Sequence, residues 1–71
     1  MNRSQIKDAI ESGRPFTIRT ADGREFEVPT RDHIALSPGG TFVQIFGDDE
    51  SVTSIPQLTM TSLRYEPARA N

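Results

Sequence analysis

Hydrophobic and polar residues alternate most regularly between positions 16 and 28, in the segment FTIRTADGREFEV. Alternation with a period of two is typical of β-strands that are buried on one side only. An Asp22-Gly23 pair interrupts the alternation, and this pair between two alternating segments is a strong hairpin signal. The segment therefore predicts a β-hairpin and places the chain among antiparallel β proteins.

The register of this hairpin follows from the rule that paired residues share one face of the sheet. A two-residue loop would pair Ile18 with Glu27 and set a charge opposite an apolar side chain. A three-residue loop that ends in the glycine instead pairs Ile18 with Phe26 and Phe16 with Val28. The opposite, outward face then carries Thr17, Arg19, Glu25 and Glu27.

A short helix is predicted before the hairpin, over residues 3–12. Asn2 is a favourable N-cap, and Gln5 lies three residues later, as in a capping box. Gly13 is a typical C-terminal stop. Because so short a helix is marginal alone, its apolar face must pack on the sheet or on another subunit. That face consists of Ile6, Ala9 and Ile10.

Four further strands are predicted after the hairpin, at residues 34–36, 41–46, 51–55 and 59–65. Segments rich in Gly, Pro or Asp separate them and mark turns. Turns at intervals of about eight to twelve residues are typical of small barrels and sandwiches. We therefore expect a mainly β (α+β) fold, a small antiparallel SH3-like or Sm-like barrel of about five strands with a short N-terminal helix.

The strand at 41–46 is apolar on both faces, with Phe42 and Phe46 on one side and Val43 and Ile45 on the other. Such a strand lies inside a sheet that curls on itself, or presents one face to a partner. If Val43 and Ile45 face the core, the two aromatic rings form a contact surface. If they face the helix, the rings are core residues, and the sequence leaves both arrangements open.

Chain length and composition indicate one domain with a marginal core. The domain is predicted to span residues 1–71, with strands over about 16–66 and a frayed tail at 67–71. Domains of this size often rely on disulfides, metals or oligomerisation. The chain has no Cys and one His, so oligomerisation is the expected support.

Charge and hydropathy limit the binding partners and the cellular compartment that we expect for the protein. The formal net charge is −2, which gives no general attraction to nucleic acid or to anionic membranes. No apolar segment is long enough to span a bilayer, and no secretory signal is recognisable. We expect a cytoplasmic protein without membrane contact.

Several short motifs are spread along the chain: Arg14-Pro-Phe-Thr-Ile18, Asp22-Gly-Arg24, Val28-Pro29, Pro38-Gly39 and Thr61-Ser-Leu63. With these motifs the chain resembles, over nearly its whole length, a set of small, uncharacterised bacterial β-barrel proteins of unknown function. The resemblance implies a small barrel and no particular activity.

A further set of residues consists of Gln5 on the predicted helix, Pro15–Gly23, Phe42–Phe46, Ile55 and Thr61-Ser-Leu63. In these residues the chain more weakly resembles the bacterial Sm-like RNA chaperone family. The resemblance implies an Sm-like barrel and, as an alternative function, an RNA-binding oligomer. That family's RNA-contacting Lys-His pair has no counterpart near Ile55-Pro56, and Pro29 lies in the region of the glycine that bends its second strand.

No reactive side chains form a recognisable catalytic or metal-binding pattern. His33 beside Asp32 has the chemistry of a general base, but no nucleophile, oxyanion site or pocket is signalled. The acidic segment 48–50 lacks the ligand spacing of a calcium loop. The segment 37–40 has glycines but neither the lysine nor the helix of a phosphate loop. We therefore predict a protein that is not an enzyme and has no cofactor or metal.

The predicted function is a non-enzymatic protein-binding or self-assembly module, whose partner is another copy or an unidentified protein. Open strand edges and the two-faced strand motivate it, because exposed edges tend to pair with other chains. The residues predicted at the protein interface are Phe42, Phe46, Leu63 and Tyr65. For the alternative, an Sm-like RNA-binding oligomer, the predicted nucleic-acid contacts are Gln5, Arg14, Arg31 and Arg64.

Overall fold

A computed structural model describes residues 2–66 of the chain. The predicted tail at 67–71 lies outside these residues. One α-helix precedes six strands, and two short 3-10 helices lie between strands. In chain order the elements are α1 (Arg3–Ser12), β1 (Phe16–Thr20), β2 (Glu25–Val28), a 3-10 helix (Arg31–His33), β3 (Ile34–Leu36), β4 (Phe42–Phe46), β5 (Val52–Pro56), a second 3-10 helix (Gln57–Thr59) and β6 (Met60–Tyr65).

The helix is capped as its sequence predicts. The Asn2 side chain accepts a hydrogen bond from the backbone of Gln5, and the Gln5 side chain accepts one from the backbone of Asn2. At the other end Gly13 adopts a left-handed conformation with φ 70°, which glycine allows without a Cβ penalty. Ile6 and Ala9 are buried against the strands. Both predicted helix boundaries are confirmed.

The strands form two antiparallel three-stranded sheets, in the orders β2-β1-β6 and β3-β4-β5. The predicted register of the first hairpin is confirmed, with Phe16 opposite Val28 and Ile18 opposite Phe26. Its loop has three residues and ends in Gly23 at φ 84°. Strand β6 joins the other side of β1, and a bulge at Thr20 shifts the register near its start.

The two sheets and the helix enclose one apolar core. Side chains of both sheets contribute to it, which makes the chain a single packing unit. The buried apolar residues are Ile6, Ala9, Phe16, Ile18, Val28, Ile34, Val43, Ile45, Ile55 and Met60.

The connection between β2 and β3 separates the two sheets. Pro29 follows β2 directly and has no N–H to donate to a ladder. Thr30 then caps the 3-10 helix, because its hydroxyl accepts a hydrogen bond from the Asp32 backbone at 3.2 Å. The mainly β fold with a short N-terminal helix is confirmed. Closure into an SH3-like or Sm-like barrel stays a prediction.

The two-faced strand β4 turns Val43 and Ile45 into the core, where they are 0% and 8% exposed. Phe42 therefore faces outward and is 41% exposed, and Phe46 on the same side is partly exposed. Of the two arrangements that the sequence left open, the structure has the one with outward rings.

Thr17 is less exposed than its outward position predicts. It lies on the central strand of its sheet, with Glu27 and Arg64 as neighbours on the flanking strands. Its hydroxyl donates to a carboxylate oxygen of Glu66 at 3.0 Å, and the residue is only 5% exposed. Thr17 faces outward as predicted, but it is buried on that face, between two flanking strands and with its hydroxyl bonded to Glu66.

The turn before β4 contacts the helix through Gly40 and Arg3, and a substitution at Gly40 tests this contact. Gly40 has φ 73°, and a Cβ there would lie 2.5 Å from Cδ of Arg3 on the helix. Gly40→Ala should therefore lower the free energy of unfolding by about 1–2 kcal/mol for the left-handed backbone alone. Chemical denaturation measures this loss.

Gly23→Ala is the matched control, since Gly23 also has a positive φ, 84°, but a Cβ there meets nothing within 4 Å. It should lose only the backbone contribution of about 1–2 kcal/mol, and Gly40→Ala should lose more because its Cβ also meets Arg3. Equal losses in the two variants would contradict the proposed seating of the helix against this turn.

Candidate functional site

The outer face of the β3-β4-β5 sheet carries no charged side chain. Alternation and register place its members in three rows across the strands. Large apolar residues occupy the outer rows, and a central row carries the amide of Gln44. We call this surface the apolar face; it consists of Ala35, Phe42, Gln44, Phe46, Val52, Ser54 and Pro56.

The outer face of the β2-β1-β6 sheet has the opposite character. Arg19 lies opposite Glu25 there, and the remaining positions are also mostly charged or hydroxylated. Its members are Thr17, Arg19, Glu25, Glu27, Ser62 and Arg64. Charged faces of this kind remain in water, whereas an exposed apolar face marks an interaction surface.

The predicted interface residues Leu63 and Tyr65 lie apart from the apolar face, on β6. Tyr65 packs edge-on against Phe16 with ring centroids 6.3 Å apart, and the guanidinium of Arg14 lies 5.0 Å from the Tyr65 ring centroid. Both β6 residues line a cleft of about 390 Å³ between helix and strand. Gln5 and Asp8 form its helical wall. We call it the β6 cleft.

Strand β6 is a sheet edge whose outward backbone groups have no partner strand among residues 2–66. The Glu66 N–H donates to the Pro15 carbonyl at 3.0 Å, toward β1. Since backbone groups alternate in direction along a strand, those of Leu63 and Tyr65 point away from β1. The β6 cleft therefore contains two N–H and two C=O groups at strand spacing.

Strand β5 is an edge of the same kind. The Gln57 N–H donates to the Thr41 carbonyl at 2.8 Å, toward β4. By the same alternation, the backbone groups of Val52 and Ser54 point outward, and Pro56 offers only its carbonyl.

A second cleft, of about 300 Å³, runs between strand β5 and the tip of the first hairpin. We call it the β5 cleft. The guanidinium of Arg24 lies over the Phe26 ring in its wall, 5.1 Å from the centroid. Each of the two clefts thus adjoins one strand edge that is unpaired within residues 2–66.

The hairpin tip in the β5 cleft is held by polar contacts around Asp22. The Thr20 hydroxyl donates to the Asp22 carboxylate, and the Arg24 backbone N–H donates to the same oxygen at 3.3 Å. The Thr20 hydrogen bond first, and the Arg24 backbone second, hold the pKa of Asp22 below its usual range. In the β4–β5 loop, hydrogen bonds from Ser51 lower the pKa of Asp49 in the same way.

The side chain of His33 bonds to Thr30 and Asp48 and not to Asp32, its neighbour in the sequence. Its Nδ1 lies 2.8 Å from the Thr30 hydroxyl, and its Nε2 lies 2.8 Å from Oδ1 of Asp48. The side chain links the connection between the sheets to the β4–β5 loop, and neither cleft includes it. This geometry gives His33 a structural role, since its two ring nitrogens join two loops of the fold.

The predicted nucleic-acid residues do not form one surface. Gln5 lies in the β6 cleft, and Arg14 donates to the Glu66 carbonyl at 3.0 Å beside Tyr65. Arg64 lies on the charged outer sheet face, and Arg31 lies in the 3-10 helix between the sheets. RNA contact at these residues stays a prediction.

Comparison of the chain with protein-family models, with curated proteins and with solved structures gives no match. Within residues 2–66, no helix is long and apolar enough to cross a membrane, and no three acidic or His side chains cluster as metal ligands do.

Sequence reasoning identified the aromatic members of the apolar face and missed the residues between them. Gln44 and Ser54 are ordinary polar residues in the sequence, and only the pairing of three strands places them in the centre of this face. The sequence did contain a signal for this face. Between positions 42 and 56, every even-numbered position outside the acidic loop 48–50 carries an uncharged residue.

Thr20→Val tests the polar contacts of the hairpin tip while keeping the shape of a buried residue. The Thr20 hydroxyl donates a hydrogen bond to the Asp22 carboxylate, so loss of this hydroxyl should move the NMR titration midpoint of Asp22 upward. The midpoint of Asp49, far from the change in sequence, should stay where it is. An unmoved Asp22 midpoint would contradict the assigned bond.

The same bond makes stability depend on pH in a defined direction. A carboxyl with a lowered folded-state pKa stabilises the protein above its ordinary pKa of 3.8, and this contribution is lost as the pH falls through the folded-state value. Thr20→Val should therefore be less stable than the parent chain at neutral pH, and the difference should shrink as the pH falls below 3.8. Chemical denaturation at several pH values measures it, and a difference that does not change with pH would count against the bond.

Proposed function

We propose that this protein is a non-enzymatic self-assembly module whose copies join through strand edges. The observation that carries the proposal is the pair of free edges, β5 and β6, each adjoining a cleft that could admit a further strand. An added strand completes the hydrogen bonds of an edge, which is the general basis of strand addition between chains.

The four sheet edges differ in how well they are protected against pairing. Strand β2 carries Glu25 and Glu27 and is followed by Pro29, and charges and proline discourage strand addition. Strand β3 has only three residues. The longer edges β5 and β6 are therefore the ones left for assembly.

Strand β5 of one copy and strand β6 of the next match in their outward backbone groups. Val52 and Ser54 on one side, and Leu63 and Tyr65 on the other, each offer two complete N–H and C=O pairs. Antiparallel pairing would join them by four hydrogen bonds. Pro56, which lacks an N–H, would limit the paired length.

Side chains on these strands also suit the pairing. Val52 is 55% exposed and Tyr65 is 37% exposed, so each leaves apolar surface in water in the single chain. Paired residues share a face, which would bring Val52 beside Tyr65 and continue the row of Phe46. Burial of apolar area stabilises such a contact at about 25 cal/mol per Å².

Pairing of two different edges is head-to-tail, and contacts of this type generate closed rings or open filaments. The Sm-like resemblance of the sequence supports the ring. Binding of RNA by that ring is the second candidate function, supported by Gln5 in the β6 cleft and by Arg14 over the Tyr65 ring of the same strand.

Ser54→Pro tests the edge without removing a hydrogen bond inside the chain, since its N–H points outward. The variant should stay folded by circular dichroism and weaken assembly at least about tenfold, because two or more hydrogen bonds of about 1 kcal/mol each are lost. Native mass spectrometry and sedimentation of untagged protein, purified without nuclease, measure the mass and any bound nucleic acid.

Ser54→Ala keeps the N–H and is the matched control, with the assembly of the parent chain expected. Mixed with parent protein, Ser54→Pro should also end growing assemblies, because its β6 edge remains intact. A parent mass of 7.9 kDa, or equal assembly by the proline and alanine variants, would refute edge pairing.

A further inference from the structure

We propose a second contact between copies, in which the apolar face packs against the same face of another copy around a two-fold axis near Gln44. This inference goes beyond edge pairing, because it uses the outward side chains of the sheet, whereas edge pairing uses backbone groups at the rim of strand β5. Val52 and Ser54 belong to both surfaces. Its occupant is a second copy of this chain.

The first argument is the charge pattern of the apolar face. None of its members is charged, so two copies can meet there without placing like charges together. A partner that binds through salt bridges would find no counter-charge on this surface, whereas an identical uncharged sheet face fits it. Two sheets packed face to face lie about 10 Å apart, with apolar side chains filling the space.

The second argument is the shape of the face. Phe42 and Pro56 form one outer row, and Phe46 and Val52 form the other, with smaller residues in the row between. In the proposed contact the two-fold axis lies between the two sheets and runs across the strands, so each bulky row of one copy lies over the other bulky row of its partner. The central row is left for Gln44.

The third argument is the chemistry of Gln44 at the proposed axis. Its side-chain amide has a donor and an acceptor, so two glutamines related by a two-fold axis can satisfy each other with a pair of hydrogen bonds. A carboxylate or an ammonium in this place could not do so. A polar group buried with its hydrogen bonds made costs little and fixes the register of the contact.

The fourth argument comes from the ends of the face. The acidic loop with Asp48 and Glu50 adjoins the Phe46 and Val52 row, while the opposite end leads to Leu58, which is 94% exposed. The two-fold rotation exchanges these ends, so the two acidic loops lie far apart. It also brings each exposed Leu58 toward the partner's Val52 end, where apolar surface is available to it.

Gln44→Glu tests this contact with a side chain of the same shape. At neutral pH it places two carboxylates together at the axis, so the native mass should fall to half that of the parent chain. Phe46→Asp should give the same mass from a different position of the face. Circular dichroism and thermal unfolding establish that both variants are folded.

Ser4→Glu is the matched control, because it makes the same change of charge at an exposed helix position away from the apolar face and both clefts. It should keep the parent mass. Because Ser54 also lies beside Gln44 on the apolar face, Ser54→Ala first shows whether loss of its hydroxyl changes the parent mass. In Ser54→Pro protein, which lacks edge pairing, the face contact alone should then leave a dimer of twice 7.9 kDa, and adding Gln44→Glu should give the monomer.

The outcomes separate the two contacts. If Gln44→Glu and Phe46→Asp both retain the full parent mass, the face contact is refuted and edge pairing is untouched. If Ser54→Pro has no effect but Gln44→Glu yields monomers, edge pairing is refuted and the face contact stands. A parent chain that is monomeric at micromolar concentration would refute both.

Discussion

The fold depends on the burial of β1 as the central strand of its sheet. Phe16 and Ile18 are fully enclosed, and they meet side chains from both flanking strands, from the helix and from the facing sheet. A chain this short has few other residues that can be surrounded on every side. Strands β2 and β6 owe their positions to β1, and the second sheet closes over the same core.

Because two open sheets enclose one small core, four strand edges and two outer sheet faces remain at the surface. These edges differ in their protection against pairing with other strands. Charges and proline protect β2, short length protects β3, and β5 and β6 lack such features. The outer faces differ in the same way, one charged and one uncharged. The two proposed contacts between copies therefore use the unprotected edges and the uncharged face.

Local signals predicted the helix caps and the first hairpin, because the residues that decide them lie within a few positions of one another. The division into two sheets could not be predicted in this way, since it depends on Pro29 and the 3-10 helix acting together on strand pairing. The partners of His33 and the burial of Thr17 depend on residues distant in sequence, such as Asp48 and Glu66. For the candidate surfaces, the sequence predicted the aromatic residues but not the other residues that lie on the same faces, such as Gln44 and Ser54.

The pairing of β1 with β6 has a consequence for the order of folding. It joins strands that are far apart in sequence, whereas the sheet β3-β4-β5 is built from consecutive hairpins. Loop closure over longer segments is slower, so β6 is expected to reach β1 last. Until it does, β1 of one molecule can accept β6 of another, and the concentration at which the chain folds decides whether that exchange competes with intramolecular pairing.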